Sequence, residues 1–179
     1  AFSKEGFHNA RMEDIADEAG LSKGALYLYF KSKDKIISSI LTALFEREIT
    51  TISEYVTHDS SAKGALARVA TLISEDLLQM KPFISIVYEF WAMSFRNKAI
   101  GNVIREFLWQ YVEIFVPIFE RGIEDGEFRS LDAKDTAMAF GAMIEGSILI
   151  WSYDMDNLDF KQLMKNSVTI FLDGISVQP

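Results

Sequence analysis

The residues best suited to binding chemistry lie between Ser22 and Lys35, where cationic and hydroxyl side chains follow one another closely. Residues 19–35 hold four lysines and one acidic residue, a local charge of +3. Lysine ammonium groups bind phosphate oxygens and guanine edges, and tyrosine hydroxyls donate to phosphate. The side chains concerned are Ser22, Lys23, Tyr27, Tyr29, Lys31, Lys33 and Lys35. Their pattern predicts binding to a polyanion, with duplex DNA as the first candidate.

Two short helices are predicted to carry these side chains. Apolar residues between Met12 and Ala19 recur at the spacing of one helix face. Gly20 is expected to end that helix, because glycine enters the left-handed conformation without steric cost. Ser22 provides an N-cap for a second helix that runs to about Phe30. Two such helices joined by a tight turn form a helix-turn-helix, whose second helix lies in the DNA major groove.

The second helix is predicted to have two different faces. Leu26 and Phe30 are four residues apart and are expected to face the first helix. The opposite face is left to Lys23, Gly24, Tyr27 and Leu28. A third helix beginning after Ser32 would bring its N-terminal N–H groups to the same DNA strand. The alternative is a solvated lysine cluster on a small helical hairpin.

The sequence from Phe2 to Ile40 resembles the N-terminal domain of the tetracycline-repressor (TetR) family of transcriptional regulators. The matching residues are Phe2, the Gly-Phe pair at 6–7 and the run MEDIADEAGLSKGALYLYFKSKDKII at 12–37. So long a run of matches is far more specific than a lone helix-turn-helix. The resemblance implies an all-α fold and binding to double-stranded DNA.

The resemblance also implies which side chains contact DNA. The family's contacts in the second helix fall on Lys23, Gly24, Ala25, Tyr27 and Tyr29, and a phosphate clamp falls on Lys33. The family usually has a hydroxyl residue before the first of these two short helices. This chain has Ala10 and Arg11 there, and Arg11 is expected to supply a phosphate contact instead. Ala25 replaces a common threonine and leaves a methyl group for thymine. The predicted DNA-binding residues are Arg11, Ser22, Lys23, Gly24, Ala25, Tyr27, Leu28, Tyr29, Lys31 and Lys33.

Composition argues against an enzyme and a metal protein. The 179 residues include no cysteine and two histidines, His8 and His58, so neither a thiolate nucleophile nor a histidine metal cluster is expected. No glycine-rich phosphate loop, GxSxG elbow or HExxH motif is present. We therefore expect no catalytic residue and no cofactor. No targeting signal is recognisable, so the cytoplasm is the expected location.

The net charge of −8 argues against DNA binding until the chain is divided. Residues 1–35 hold six basic and six acidic residues, so the whole −8 lies in the remainder. Phosphate attraction depends on the local basic patch, with the acidic part held away from the duplex. The chain opens at Ala1, apparently in the last turn of the family's first helix, so a preceding piece is expected.

Beyond Lys35 every segment is predicted to be helical, which gives an all-α protein of about nine helices. Residues 57–61 form the one plainly polar connector, and Lys81-Pro82 is expected to break the helical pattern. Pro117 is expected to bend the seventh helix. We predict a helix-turn-helix domain over 1–45 and a helical ligand-binding and dimerisation domain over 46–179.

The eighth predicted helix is apolar or small on every side from Thr136 to Tyr153, and Glu145 is its only charge. A central carboxylate and acidic flanks argue against a membrane span. A helix apolar all round must be covered all round, so a second subunit is the natural cover. The resemblance likewise implies a homodimer through the last two long helices, about 132–153 and 159–175. The alternative is a helix at the centre of a monomeric core.

The resemblance places an effector site among helices four to eight. Aromatic and methionine side chains there suit a lipophilic or aromatic small molecule, although aromatic residues at helical spacing more often belong to the hydrophobic core. Glu145 would be a counter-charge for a cationic ligand or would pair with Arg105 or a tyrosine hydroxyl. The candidates are Met80, Phe83, Tyr88, Trp91, Phe95, Phe107, Trp109, Tyr111, Phe115 and Glu145.

These features predict a ligand-released homodimeric repressor on a palindromic operator. The alternative is a helical dimer that binds a small molecule or protein without functional DNA binding.

Overall fold

A computed structural model describes residues 1–56 and 61–177, so residues 57–60 of the predicted connector at 57–61 lie outside the described residues. The described part is all-α, as predicted, with nine α-helices and a 3-10 turn. The helices are α1 Phe2–Asn9, α2 Met12–Glu18, α3 Lys23–Tyr29, α4 Lys33–Val56, α5 Ala62–Gln79, α6 Ile84–Ser94, α7 Lys98–Glu124, α8 Ala133–Tyr153 and α9 Phe160–Ile175. The 3-10 turn covers Lys81–Phe83 at the predicted break. Within these ranges no helix is long and apolar enough to cross a membrane.

The chain divides into two compact units, which differ from the two predicted domains. The first unit contains Ala1–Glu46 and Pro82–Phe107, and the second contains Arg47–Lys81 and Leu108–Pro179. The predicted boundary at residue 45 lies beside the first division. Residues 82–107 pack with the first unit, in which α6 packs against α1, and the predicted domain boundary stays a prediction.

The helix-turn-helix of the first unit forms as the local sequence predicts. Gly20 ends α2 with a left-handed φ of 65°. The Ser22 hydroxyl oxygen then accepts a hydrogen bond from the Ala25 N–H at 3.1 Å and caps α3. The small core beneath these helices consists of Met12, Ala16, Leu26 and Ile36. Each helix is too short to be stable alone, so this shared core holds α2 and α3 together.

Aromatic packing joins α6 to the helix-turn-helix. The rings of Phe2 and Phe7 meet the Phe90 ring edge-on, with centroids 6.0 and 6.3 Å away. Gly6 has a φ of 73° and interrupts α1, which continues to Asn9, although the resemblance placed Ala1 already in the last turn of the first helix. The interruption lies between the two phenylalanines that pack on α6.

The second unit is held by α5, α8 and α9 together with the C-terminal part of α7. Phe119, Phe140 and Phe171 form a cluster with centroid distances of 5.4 to 6.4 Å. Asp132 caps α8 and Asp159 caps α9, and each carboxylate accepts a hydrogen bond from the backbone N–H three residues on. The two long C-terminal helices therefore begin where their sequences indicate.

Candidate DNA-binding surface and effector site

The side chains of α3 divide into a buried set and an exposed set, as predicted. Leu26 is buried and Phe30 is half-buried. Tyr27 is exposed, and Leu28 and Tyr29 are each 77% exposed. The exposed side chains of Leu28 and Tyr29 leave a large apolar area of one short helix in water, which is unfavourable unless a partner covers it. The exposed face of α3 is therefore suited to binding a partner. Gly24 lies in open space, with only the Ser22 hydroxyl 4.0 Å from where a Cβ would stand.

The lysines on this surface have different surroundings. The Lys23 ammonium forms an ion pair with Glu13 of α2. The Lys31 ammonium donates to the Tyr27 carbonyl oxygen at 2.9 Å and so covers the C-terminal end of α3. Lys35 is exposed. Glu13 was missed in the sequence, although an acidic residue in the first turn of α2 faces the start of α3 in a tight helical hairpin.

Arg11 and Ala25 occupy the positions where the sequence departs from the family pattern. Arg11 is the N-cap residue of α2, and its backbone N–H donates to an Asp14 carboxylate oxygen at 2.6 Å. Its side chain is exposed, which keeps it available for the predicted phosphate contact. Ala25 is half-buried, and its N–H is already bonded to Ser22. Ser22 therefore has a capping role whether or not it contacts DNA.

The Lys33 side chain is half-buried and its ammonium is bound within the first unit. Its Nζ donates to the carbonyl oxygens of Phe7 and Ala10, both at 2.7 Å. The ammonium also lies 4.5 Å from the centroid of the Phe7 ring. A cation at the last carbonyls of a helix is favourable, and here it connects the end of α1 to the start of α4. In this structure the ammonium supports the first unit from within, and the phosphate contact of Lys33 stays a prediction.

Replacing Lys33 by methionine should lower the free energy of unfolding by about 1–3 kcal/mol, because charge-assisted hydrogen bonds are lost while the aliphatic stem stays. Urea unfolding followed by circular dichroism measures the loss. Lys35→Met, at an exposed position two residues on, should have little effect. Unchanged stability with weaker binding to every duplex would instead restore the phosphate clamp.

The predicted effector residues divide between the two units. In the first unit Phe107 is buried and stacks on Phe45 with centroids 3.8 Å apart. Tyr88 and Trp91 are half-buried, and Phe83 is exposed. Phe95 is 87% exposed at the C-terminal end of α6, so its side chain lies in no enclosed site in this structure. Its contact with an effector stays a prediction.

In the second unit the buried aromatic residues belong to a packed core. Tyr111 and Phe115 are buried, with ring centroids 4.8 Å apart, and Phe115 packs on Phe140. Met80 is half-buried at the end of α5. Trp109 is half-exposed, and the Lys134 ammonium lies 5.2 Å from its ring centroid. Its ring therefore takes part in a surface cation–π contact.

Glu145 forms an acidic pair with Glu48, and only Glu145 was identified from the sequence. Burial raises the pKa of Glu145 to about 7 and that of Glu48 to about 8, and the charge of Glu145 contributes to the second shift. Burial, followed by these two carboxylates, raises the pKa of Tyr111. Glu48 was missed, yet it lies seven residues after Leu41 and four before Ile52, both buried. An acidic residue at the helical spacing of buried residues in α4 was the sequence signal that could have identified Glu48.

The pair predicts a pH dependence of stability. The pKa of Glu48 is raised from 4.5 to about 8 on folding, so stability is greatest below pH 4.5 and falls as pH rises towards 8. Glu48→Gln mimics the protonated acid and should raise the free energy of unfolding at pH 8 by about 1–3 kcal/mol, with a smaller gain at pH 5. Urea unfolding at both pH values measures the difference. Exposed Glu113→Gln is the control, and an equal effect at both pH values would contradict the assignment.

Curated relatives match almost the whole chain. It is 27% identical over 176 residues to the fatty acid metabolism regulator protein of Bacillus subtilis, covering 97% of this chain and 89% of the relative. It is 23% identical over 175 residues to the HTH-type transcriptional repressor KstR2 of Rhodococcus jostii, covering 98% and 85%. The crystal structure of the regulator FadR from Bacillus subtilis in complex with stearoyl-CoA shares the fold. Its TM-score is 0.85 at 24% identity, covering 97% of this chain and 93% of that one.

Two family profiles account for the two parts of the sequence. Residues 1–40 match the bacterial regulatory proteins of the tetR family, and residues 51–177 match the C-terminal region of QacR-like proteins. The first match covers the helices that carry the exposed α3, and the second covers α5 to α9. The chain therefore belongs to the TetR family of ligand-responsive, DNA-binding transcriptional regulators and is not an enzyme.

Proposed function

We propose that this regulator represses transcription in the cytoplasm as a homodimer on a palindromic operator and is released by a lipophilic small molecule. The observation that carries the proposal is the exposed face of α3, where Tyr27, Leu28 and Tyr29 lie beside Lys23. Two such helices related by a twofold axis would enter major grooves about 34–36 Å apart. The Leu28 side chain would supply an apolar contact for a thymine methyl group, and the tyrosines would donate to phosphate.

The dimer is supported by an uncovered apolar face in the second unit. Met138, Leu149 and Tyr153 recur at helical spacing along one side of α8, and all three are exposed. Ile170 of α9 is 73% exposed. Gly146 lies on the same side of α8, where an added Cβ would meet nothing within 4 Å. A second copy of α8 and α9 would cover this surface, since large apolar patches rarely stay exposed.

A lipophilic effector is supported by the relatives and by the acidic pair. One relative is a fatty acid metabolism regulator, and the FadR crystal structure contains stearoyl-CoA. Glu48 and Glu145 have pKa values of about 8 and 7, so they hold much of their proton near neutral pH. A protonated carboxyl tolerates an acyl chain better than a carboxylate does. We therefore place a long-chain acyl thioester ahead of the lipophilic cation that Glu145 alone suggested.

A hydrogen-bonded link within the first unit provides a route by which movement of α7 would reach the DNA-binding helices. The Asn97 side-chain oxygen accepts from the Ala99 N–H at 3.0 Å and so caps α7. The same amide donates to an Asp34 carboxylate oxygen in the first turn of α4 at 2.8 Å. A displacement of the start of α7 would therefore pull on α4 beside Lys33. Coupling of this kind is reciprocal and typically amounts to about 1–3 kcal/mol.

Fluorescence anisotropy tests the proposal with a duplex that carries an inverted repeat from the DNA upstream of the protein's own gene. Binding should weaken with salt and exceed binding to a scrambled duplex. Stearoyl-CoA should lower the operator affinity at least about tenfold, whereas coenzyme A alone should not. Release by a lipophilic quaternary ammonium ion alone would return Glu145 to the role of counter-charge. Lack of salt-dependent binding to any duplex would favour the helical dimer without DNA binding.

A further inference from the structure

The ion pair between Glu13 and Lys23 places a negative charge on the surface that meets DNA. Lys23 begins α3 and Glu13 lies in the first turn of α2, and both side chains are exposed. α3 and the residues after it carry Lys23, Lys31 and Lys35, whereas α2 carries Glu13 together with Asp14, Asp17 and Glu18. A carboxylate at this position repels phosphates and competes with them for the Lys23 ammonium, so its presence weakens attraction to DNA in general.

The competition differs between two modes of DNA binding. A lysine ammonium has three donors, so it can donate to Glu13 and to a guanine edge at the same time. A guanine edge is uncharged, whereas a phosphate that shares the ammonium brings a second negative charge beside the Glu13 carboxylate, and the two anions repel each other. The ion pair is therefore compatible with a complex in which Lys23 contacts a base and is disfavoured in one held by phosphates alone.

We propose that Glu13 is a specificity-determining residue, which holds Lys23 for a guanine edge and penalises its transfer to phosphate. The proposal rests on the DNA binding by α3 proposed above. Specificity is a difference between affinities, and a repulsive group that acts mainly on the wrong complex increases it. The lowered pKa of Glu13, caused first by its hydrogen bond with Lys23, shows that the acid is charged at neutral pH.

Glu13→Gln and Glu18→Gln form a matched pair of variants. Both residues lie on α2, both are exposed, and each forms an ion pair with one lysine. Glu18 pairs with Lys4 of α1, so its substitution removes the same charge without releasing Lys23. Thermal unfolding of both variants checks that the helix-turn-helix stays folded. The affinities for operator and scrambled duplex are then measured by anisotropy at several salt concentrations.

Glu13→Gln should raise affinity for the scrambled duplex about five- to tenfold and for the operator less than about twofold. The salt dependence on the scrambled duplex should steepen by about one unit per subunit, because one more phosphate is neutralised. Glu18→Gln should raise both affinities by the same small factor. Each half-site guanine is also replaced in turn by 7-deazaguanine. At one position this replacement should reduce the affinity of wild type more than that of the Glu13→Gln variant, since the released lysine no longer depends on the base.

Equal gains on the two duplexes, or gains that match those of Glu18→Gln, would overturn the proposal. A 7-deazaguanine series with the same losses in wild type and variant would also overturn it. If wild type binds no duplex at all, the proposed function fails, and the role of Glu13 fails with it. If wild type prefers the operator and Glu13→Gln behaves like Glu18→Gln, only the role of Glu13 fails.

Discussion

Replacing Gly146 by arginine is expected to convert the protein from a dimer into a folded monomer. In a single chain an added Cβ at Gly146 meets nothing within 4 Å, so the fold has room for the new side chain. In the proposed dimer each copy would bury its arginine beside Met138 and Leu149 without a charged partner. Removing charge from water without a partner costs about 3–5 kcal/mol, so the dimer dissociation constant should rise more than about a hundredfold.

Sedimentation equilibrium measures this change directly for a chain of 20.3 kDa. Ala67→Arg is the matched control, because it introduces the same side chain at a small, exposed position on α5. The control should stay dimeric, and both variants should retain the helical circular dichroism of wild type. Operator affinity of Gly146→Arg should fall with the dimer, since one recognition helix alone loses the second half-site. A wild type that is monomeric at micromolar concentration would contradict the proposed interface and the two-groove arrangement together.

Replacing Tyr27 by alanine is expected to reduce operator affinity by about 30- to 1,000-fold. The ring lies on the exposed face of α3 while its neighbour Leu26 holds the helix in the core. Loss of the ring and hydroxyl contacts should cost about 1–2 kcal/mol in each subunit, and the twofold symmetry doubles that cost. Anisotropy with operator and scrambled duplexes measures the loss and its specificity.

Two further variants separate the contributions of Tyr27. Tyr27→Phe removes only the hydroxyl, so it should lower affinity for both duplexes alike if that group donates to phosphate. Leu28→Ala, at the next exposed position, should reduce operator affinity alone if its side chain contacts a base. Equal affinity of Tyr27→Ala and wild type, with unchanged circular dichroism, would remove Tyr27 from the interface.

The sequence predicted the helices well because their ends depend on neighbouring residues. Gly20 ends α2. The Ser22 hydroxyl caps α3 by accepting a hydrogen bond from the backbone N–H three residues on. Asp132 and Asp159 do the same for α8 and α9. Periodicity also identified the buried side of α3, because Leu26 and Phe30 are four residues apart. The family resemblance rested on the same short-range pattern.

Contacts between residues far apart in the sequence were not predicted in the same way. Residues 82–107 were assigned to the C-terminal domain, yet Phe90 packs on Phe2 and Phe7. Phe95 shares helical spacing with buried residues but lies at the end of α6 and is exposed. Spacing identifies which residues share a face of one helix, and it carries no information about what covers that face.

The sequence by itself therefore determined the all-α fold, the helix-turn-helix and the basic patch that marks the DNA-binding helix. Tertiary structure alone decided what each charge does. Lys33 meets carbonyl oxygens 23 and 26 residues away, and Lys23 is paired with Glu13 on another helix. Glu48 and Glu145 are almost a hundred residues apart, yet burial raises the pKa of both and the charge of Glu145 adds to the shift of Glu48. Charges interact through space with a strength set by distance and burial, and neither quantity can be read from a local pattern of residues.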